Sequence, residues 1–271
     1  MPDYPPGTPC WIELSSPDLD ASEAFYQELF GWETEFRADP EKTGGYRTIT
    51  LDGKSVGGLA PIMSEGQPPA WATYIYVTDA DETVGKVKDA GGQAITDIIA
   101  VLDLGRMCVF MDPTGAAFGI WQPKEHKGAE DVNRVGTLGW NELQTRDAEK
   151  AKDFYVSVFG WEPVDTDMGG GSNYTRWQLG DRMVAGMIQM DENFPPDIPS
   201  NWLVYFGIDD TDEAVAKAQA AGGSVHVEPM DIPGMGRFAV LTDPHGAVFA
   251  IIALVPEVLE RGEKQAAEIG A

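Results

Sequence analysis

The chain carries one decapeptide frame twice. "AFYQELFGWE" runs from Ala24 to Glu33 and "DFYVSVFGWE" from Asp153 to Glu162, 129 residues further on. The likeness extends past both. "CWIELSSPDLDASEAFYQELFGWE" answers to "GWNELQTRDAEKAKDFYVSVFGWE", "GGYRTITLDGKSVGGLAPI" to "SNYTRWQLGDRMVAGMIQM", and "LGRMCVFMDPTGAAFGIW" to "MGRFAVLTDPHGAVFAII". The offset drifts only between 128 and 131. A chain with this pattern folds as two homologous units of ordinary domain size. The copies take residues 1–122 and 137–255, with a charged linker at 123–136 and a polar, helix-prone tail at 256–271.

Within each copy a shorter order repeats. Trp11–Leu14 reads as a strand, and Asp18 or Asp20 caps a helix whose apolar face is Phe25, Tyr26, Leu29 and Phe30. Gly31 and Gly160 stop the corresponding helices. Strands follow at 32–36, 46–51 and 56–62, and then Ala72–Val77 begins the same order again. The fold is therefore α+β, built from four βαβββ units. The glycine-rich stretches 39–45 and 165–173 read as loops, the second beside a cleft mouth.

Charge and composition exclude some partners. The net charge is −25, which repels phosphate backbones and anionic lipid, so neither nucleic acid nor membrane is expected. No apolar run reaches the roughly 18 residues of a membrane helix. "MPDYPPGTPC" lacks the basic and apolar regions of a secretory leader. Cys10 and Cys108 show neither metal-ligand spacing nor a disulfide framework, which predicts a reducing cytoplasm.

The residues resemble the vicinal oxygen chelate superfamily, which includes glyoxalase I, bleomycin-resistance proteins and extradiol dioxygenases. The resemblance rests on the two helix motifs, on the "DAGG" and "AAGG" helix ends, and on the "DPTG" and "DPHG" turns between strands. It extends to the two-domain actinobacterial type, to which the chain is also similar, and covers nearly all of the chain outside the linker and tail. It implies two tandem glyoxalase/bleomycin-resistance-type domains, each a half-open barrel with its site in the concave cleft. It also implies divalent metal ligands on the first strand of a unit and near the end of its last strand. Those positions fall on Trp11 and Trp140, on Thr73 and Val204, and on Gly119 and Ala250. None is a metal ligand, so no cofactor is expected and no metal residue is assigned.

Glu13 and Glu142 stand two residues beyond the tryptophans, on the same strand face. They are the candidate catalytic carboxylates, Glu142 being a possible general base; the bland reading pairs each with arginine or backbone donors. Candidate ligand-binding residues are Trp11, Trp71, Tyr74 and Tyr46, with counterparts Trp140, Trp202, Tyr205 and Tyr174, together with Arg176 and His226. Each aromatic taken singly is more often core than ligand contact. Arg47, Arg106 and Arg237 read as oxygen-recognition groups, Arg106 and Arg237 equally as braces of a strand turn, His245 as a turn residue, and His126 as part of the linker.

Aromatic walls with a carboxylate at the base suit an aromatic or cationic small molecule. The first reading is a cytoplasmic small-molecule binding or sequestering protein. The alternative is a divalent-metal glyoxalase- or dioxygenase-type enzyme using Glu13, Glu142 or His226. Both clefts sit in one chain, so a monomer suffices, and a homodimer is equally compatible.

Overall fold

The computed structural model describes residues 4–167 and 173–260. The glycine-rich run at 168–172 and the tail from 261 lie outside the described residues. In the first copy β1 (Pro9–Ser16), α1 (Leu19–Phe30), β2 (Glu33–Glu35), a one-turn helix α2 (Pro40–Thr43), β3 (Arg47–Leu51) and β4 (Lys54–Pro61) form one unit. Then β5 (Ala70–Tyr76), α3 (Ala80–Asp89), β6 (Gln93–Ala94), β7 (Ile99–Val101), β8 (Gly105–Met111) and β9 (Ala117–Pro123) form the next. The second copy repeats this as β10 (Leu138–Thr145), α4 (Ala148–Phe159), β11 (Glu162–Asp167), β12 (Asn173–Leu179) and β13 (Arg182–Gln189). Its last unit is β14 (Asn201–Gly207), α5 (Thr211–Ala220), β15 (Ser224–Ile232), β16 (Gly236–Thr242) and β17 (Val248–Leu254).

Local chemistry accounts for the helix limits. Asp18, Asp79, Asp147 and Asp210 each accept a backbone N–H three residues on, an N-cap worth about 1 kcal/mol. Gly31 and Gly160 end α1 and α4 in the left-handed conformation, at φ 72° and 71°.

Each copy makes one sheet. The orders are β2-β3-β4-β1-β5-β9-β8-β6 and β11-β12-β13-β10-β14-β17-β16-β15, with β7 paired to β8. The first strand of a unit runs parallel to its last, and the two units of a copy join through antiparallel β1 and β5 or β10 and β14. Period-two alternation gives each sheet a helix-covered face and an open face. Ile12 and Leu14 point to the covered face and are buried; Trp11 and Glu13 point to the other.

The covered faces meet, and the two cores they form cut across the sequence copies. One core places Phe25, Tyr26 and Phe30 of α1 against Phe206 of β14 and Phe249 of β17, with Phe30 and Phe206 ring centroids 5.1 Å apart. The other places Phe154 and Tyr155 of α4 against Phe118 of β9, each 5.9 Å away. The decapeptides supply the joints. Tyr26 donates to Asp243 at 3.2 Å and Tyr155 to Asp112 at 2.9 Å, each reaching the other copy's Asp-Pro turn. Trp32 donates to the Gly136 carbonyl and Trp161 to that of Gly7, both at 2.7 Å. The repeated motif is thus an interdomain clasp.

The linker is no loose tether. Ala129 is fully buried, its N–H donating to the Cys10 carbonyl, and Glu130 accepts from both the backbone and the hydroxyl of Ser55. His126 N–H donates to Leu104, and the His126 carbonyl accepts from the Trp121 indole. The segment straps from β8 and β9 across β1 to β4.

Candidate functional site

On the open face of the first sheet, β1, β5 and β9 bring Trp11, Tyr74 and Gly119 into register, with Glu13 opposite Gly58 of β4. Tyr74 donates to Glu13 Oε1 at 3.1 Å, and the Trp11 indole donates to the Tyr46 hydroxyl at 3.2 Å. The second sheet repeats the cluster. Tyr205 donates to Glu142 Oε1 at 3.1 Å, the Trp140 indole to Tyr174 at 2.8 Å, and Gln144 adds a donor to Glu142 at 3.3 Å.

Glycine makes the clusters possible. A Cβ on Gly58 or Gly186 would lie 2.0 Å from the Tyr46 or Tyr174 hydroxyl, and one on Gly119 would lie 2.3 Å from the Tyr74 ring. Sequence reasoning passed over Gly58 and Gly186. Their signal was available, since both sit in the "GG" and "AG" of matched strands at the 128-residue offset.

Burial sets the electrostatics. Desolvation raises the Glu13 carboxyl to about 7, opposed by hydrogen bonds from Tyr74 and Tyr46. Desolvation likewise raises Glu142, opposed by Gln144, Tyr205 and Tyr174. The four tyrosines are pushed upward by burial and by their carboxylate neighbours, so they stay protonated donors.

The other expected site residues divide. Arg176 joins the second cluster: it pairs in register with Gly186 on the same face as Tyr174, and it is exposed, with one long bond to Thr166 at 3.4 Å. Trp71 and Trp202 lie apart from both clusters. They are buried on the helix-covered faces, donating to Tyr26 at 3.0 Å and Tyr155 at 2.9 Å. His226 and Glu228 are exposed on the edge strand β15, away from Glu142. Arg47 pairs with Asp20 and Glu23 of α1, Arg106 with Asp81 and Arg237 with Asp212, all braces between strand and helix.

The positions that the resemblance gives to metal ligands carry other chemistry. Trp11 and Trp140 give their N–H groups to tyrosine, and Thr73 donates to Asn141 at 2.7 Å across the domain boundary. Val204, Gly119 and Ala250 carry no donor atom in their side chains. Each cluster holds one carboxylate, and among the described residues no three His, Cys, Asp or Glu side chains gather as a ligand set. These residues do not fit a divalent metal ion.

Comparison with known proteins places the fold. The profile of the Glyoxalase/Bleomycin resistance protein/Dioxygenase superfamily matches residues 10–120 and 137–251. The chain belongs to that superfamily. It is 43% identical over 258 residues to "Putative glyoxylase CFP32" of Mycobacterium tuberculosis, covering 94% of this chain and 98% of that one. It is 39% identical over 268 residues to the anthracycline biosynthesis protein DnrV of Streptomyces peucetius, covering 94% and 96%. Among solved structures, the 2,3-dioxygenase LapB of Pseudomonas sp. KL28 superposes with a TM-score of 0.63 at 14% identity, over 93% of this chain and 96% of that chain. The Mn(II)-bound glyoxalase of Novosphingobium aromaticivorans gives 0.62 at 16%, over 92% and 82%. At those identities the likeness is one of fold. The α+β architecture read from the repeats, and the tandem glyoxalase-type domains that the resemblance implied, are those observed. No helix among the described residues is long and apolar enough to cross a membrane.

Proposed function

We propose that the protein binds a small aromatic molecule on the open face of its sheets, without a metal ion. The observation that carries this reading is the duplicated cluster of tryptophan, glutamate and two tyrosines. Each is held by internal hydrogen bonds on a face that the helices leave uncovered. Indole and phenol rings offer stacking area, while the carboxylate favours a cation or an N–H or O–H donor. The relative named for anthracycline biosynthesis is in keeping with an aromatic ligand. Both cysteines are free and buried, in keeping with the cytoplasm, and one chain holds both clusters, so a monomer or a homodimer serves.

The alternative is a divalent-metal enzyme with non-standard ligands, Glu13, Glu142 or His226, and the manganese-bound neighbour keeps it in view. One pair of measurements separates the two. Elemental mass spectrometry of untagged, chelator-free protein is followed by fluorescence titration with a panel of flat aromatic molecules. Saturable quenching without stoichiometric metal supports the binder; stoichiometric Zn, Ni, Mn or Fe overturns it.

A further inference from the structure

The two open faces share a cluster and differ in what lies over it. On the first, the linker seats a ring: His126 stands edge-on against Trp11, centroids 4.4 Å apart, and 5.6 Å from Trp121. Trp11 is consequently buried. His126 Nε2 is itself buried without a hydrogen-bond partner, and desolvation lowers its imidazole to about 4, so the seated ring is neutral.

On the second face no described aromatic ring takes the corresponding seat. Trp140 is partly exposed, packed on the cluster of Tyr205, Val240 and Ile252 and donating to Tyr174, with no described ring standing over it as His126 stands over Trp11. Ile252 replaces Trp121, which removes the indole that anchors the strap. Phe238, in the place of Met107, continues the wall from Tyr205 at 6.3 Å, partly exposed. Arg176, in the place of the buried Thr48, adds a guanidinium with no carboxylate partner among the described residues.

We infer that the linker has made the first cleft a structural site, with His126 as its permanent occupant. The second cleft takes a flat aromatic molecule that stacks on Trp140 and presents an anionic or carbonyl oxygen to Arg176. This rests on the reading of the protein as a small-molecule binder and confines it to one site, where the exposed Arg176 sets the ligand's polarity in place of Glu142, whose carboxyl is buried and bonded to Tyr205 and Gln144. The internal repeat supplies the template, because an aromatic ring already fills the matching position in the other copy. The guanidinium supplies the polarity, since a fixed fork of N–H donors selects oxygen.

The test uses the full chain and anthraquinone-2-sulfonate, a flat, oxygen-bearing anion that a chain of net charge −25 has no general reason to attract. Calorimetry gives the stoichiometry and tryptophan quenching the affinity. The expected result is about one probe per chain, with Trp140→Leu and Arg176→Gln each weakening binding about tenfold or more. Met107→Ser, opposite Trp121 on the first sheet, should change it less than about twofold, and His126→Gly should open a second site. Arg176 is exposed, so its variant tests the idea even where Trp140→Leu fails to fold. Two equal sites in the wild-type chain, indifference to Arg176→Gln, or no second site in His126→Gly overturns the inference while the binding reading stands. Binding of the cationic tricycle proflavine in place of the sulfonate overturns the ligand class alone. Saturable binding of neither overturns both.

Discussion

Tyr155 of α4 donates its phenol to Asp112, which lies 43 residues earlier in the turn between β8 and β9. The same oxygen accepts the Trp202 indole at 2.9 Å, and Tyr26 repeats the arrangement with Asp243 and Trp71. Removing either hydroxyl strands a buried indole N–H and weakens a buried carboxylate's solvation. Tyr155→Phe and Tyr26→Phe should each cost about 1–3 kcal/mol, seen as lowered urea midpoints with unchanged slopes. Values near zero would mean the clasp is ornamental.

A second expectation concerns pH. Glu13 is protonated up to about 7 in the fold, against an ordinary glutamate value of 4.5. Between those values the unfolded chain has already released the proton that the folded chain still holds. The contribution is therefore fully present below 4.5 and lost as the pH rises through 7, amounting to about 3 kcal/mol at most. Glu13→Gln should flatten that part of the stability profile. Guanidinium titrations at pH 5 and pH 7.5 on both proteins give the comparison, and parallel curves would refute the assignment.

The absent side chain of Gly186 is the space that the Tyr174 hydroxyl fills. Gly186→Ala places a methyl where the Tyr174 hydroxyl lies, so Tyr174 must swing out and release the Trp140 indole. The expected signature is a red-shifted tryptophan emission and a loss of about 1–3 kcal/mol. Gly180→Ala makes a poor control because its φ is +58°, whereas Gly85→Ala, in α3 with open space around it, should be neutral or stabilising.

Both thiols should be inert. Cys10 and Cys108 are buried, and desolvation raises each above the ordinary thiol value. A disulfide-exchange dye should react with neither on the minute timescale in native buffer and with both in denaturant. A fast native phase would argue against the seat of the linker over Cys10.

Much of this was legible because it was local. Helix α1 follows from an aspartate cap, a four-residue apolar rhythm and a terminal glycine, none of which needs the rest of the chain. Strand parity separates Trp71 from Tyr74, three residues apart and hence on opposite faces, so the two do not line one wall. Arg176 aligns with Thr48, not with Arg47, at the 128-residue offset of that stretch. In the fold β3 and β12 are matched at 128, so Arg176 stands where Thr48 does and faces the open side. The seat of His126 had no such signal. A ring delivered by an aperiodic linker, and clasps that join residues 217 apart, are set by long-range packing alone.

The crossing of the two cores has a thermodynamic corollary. Each core takes its rings from both copies, so a chain severed in the linker yields fragments that own two half-cores apiece, bare on their most apolar sides. Neither copy can melt while the other stands. Heating should therefore give one calorimetric peak whose van't Hoff and calorimetric enthalpies agree, as for a single folding unit. Gene duplication made two domains here, and the packing that followed left one cooperative body.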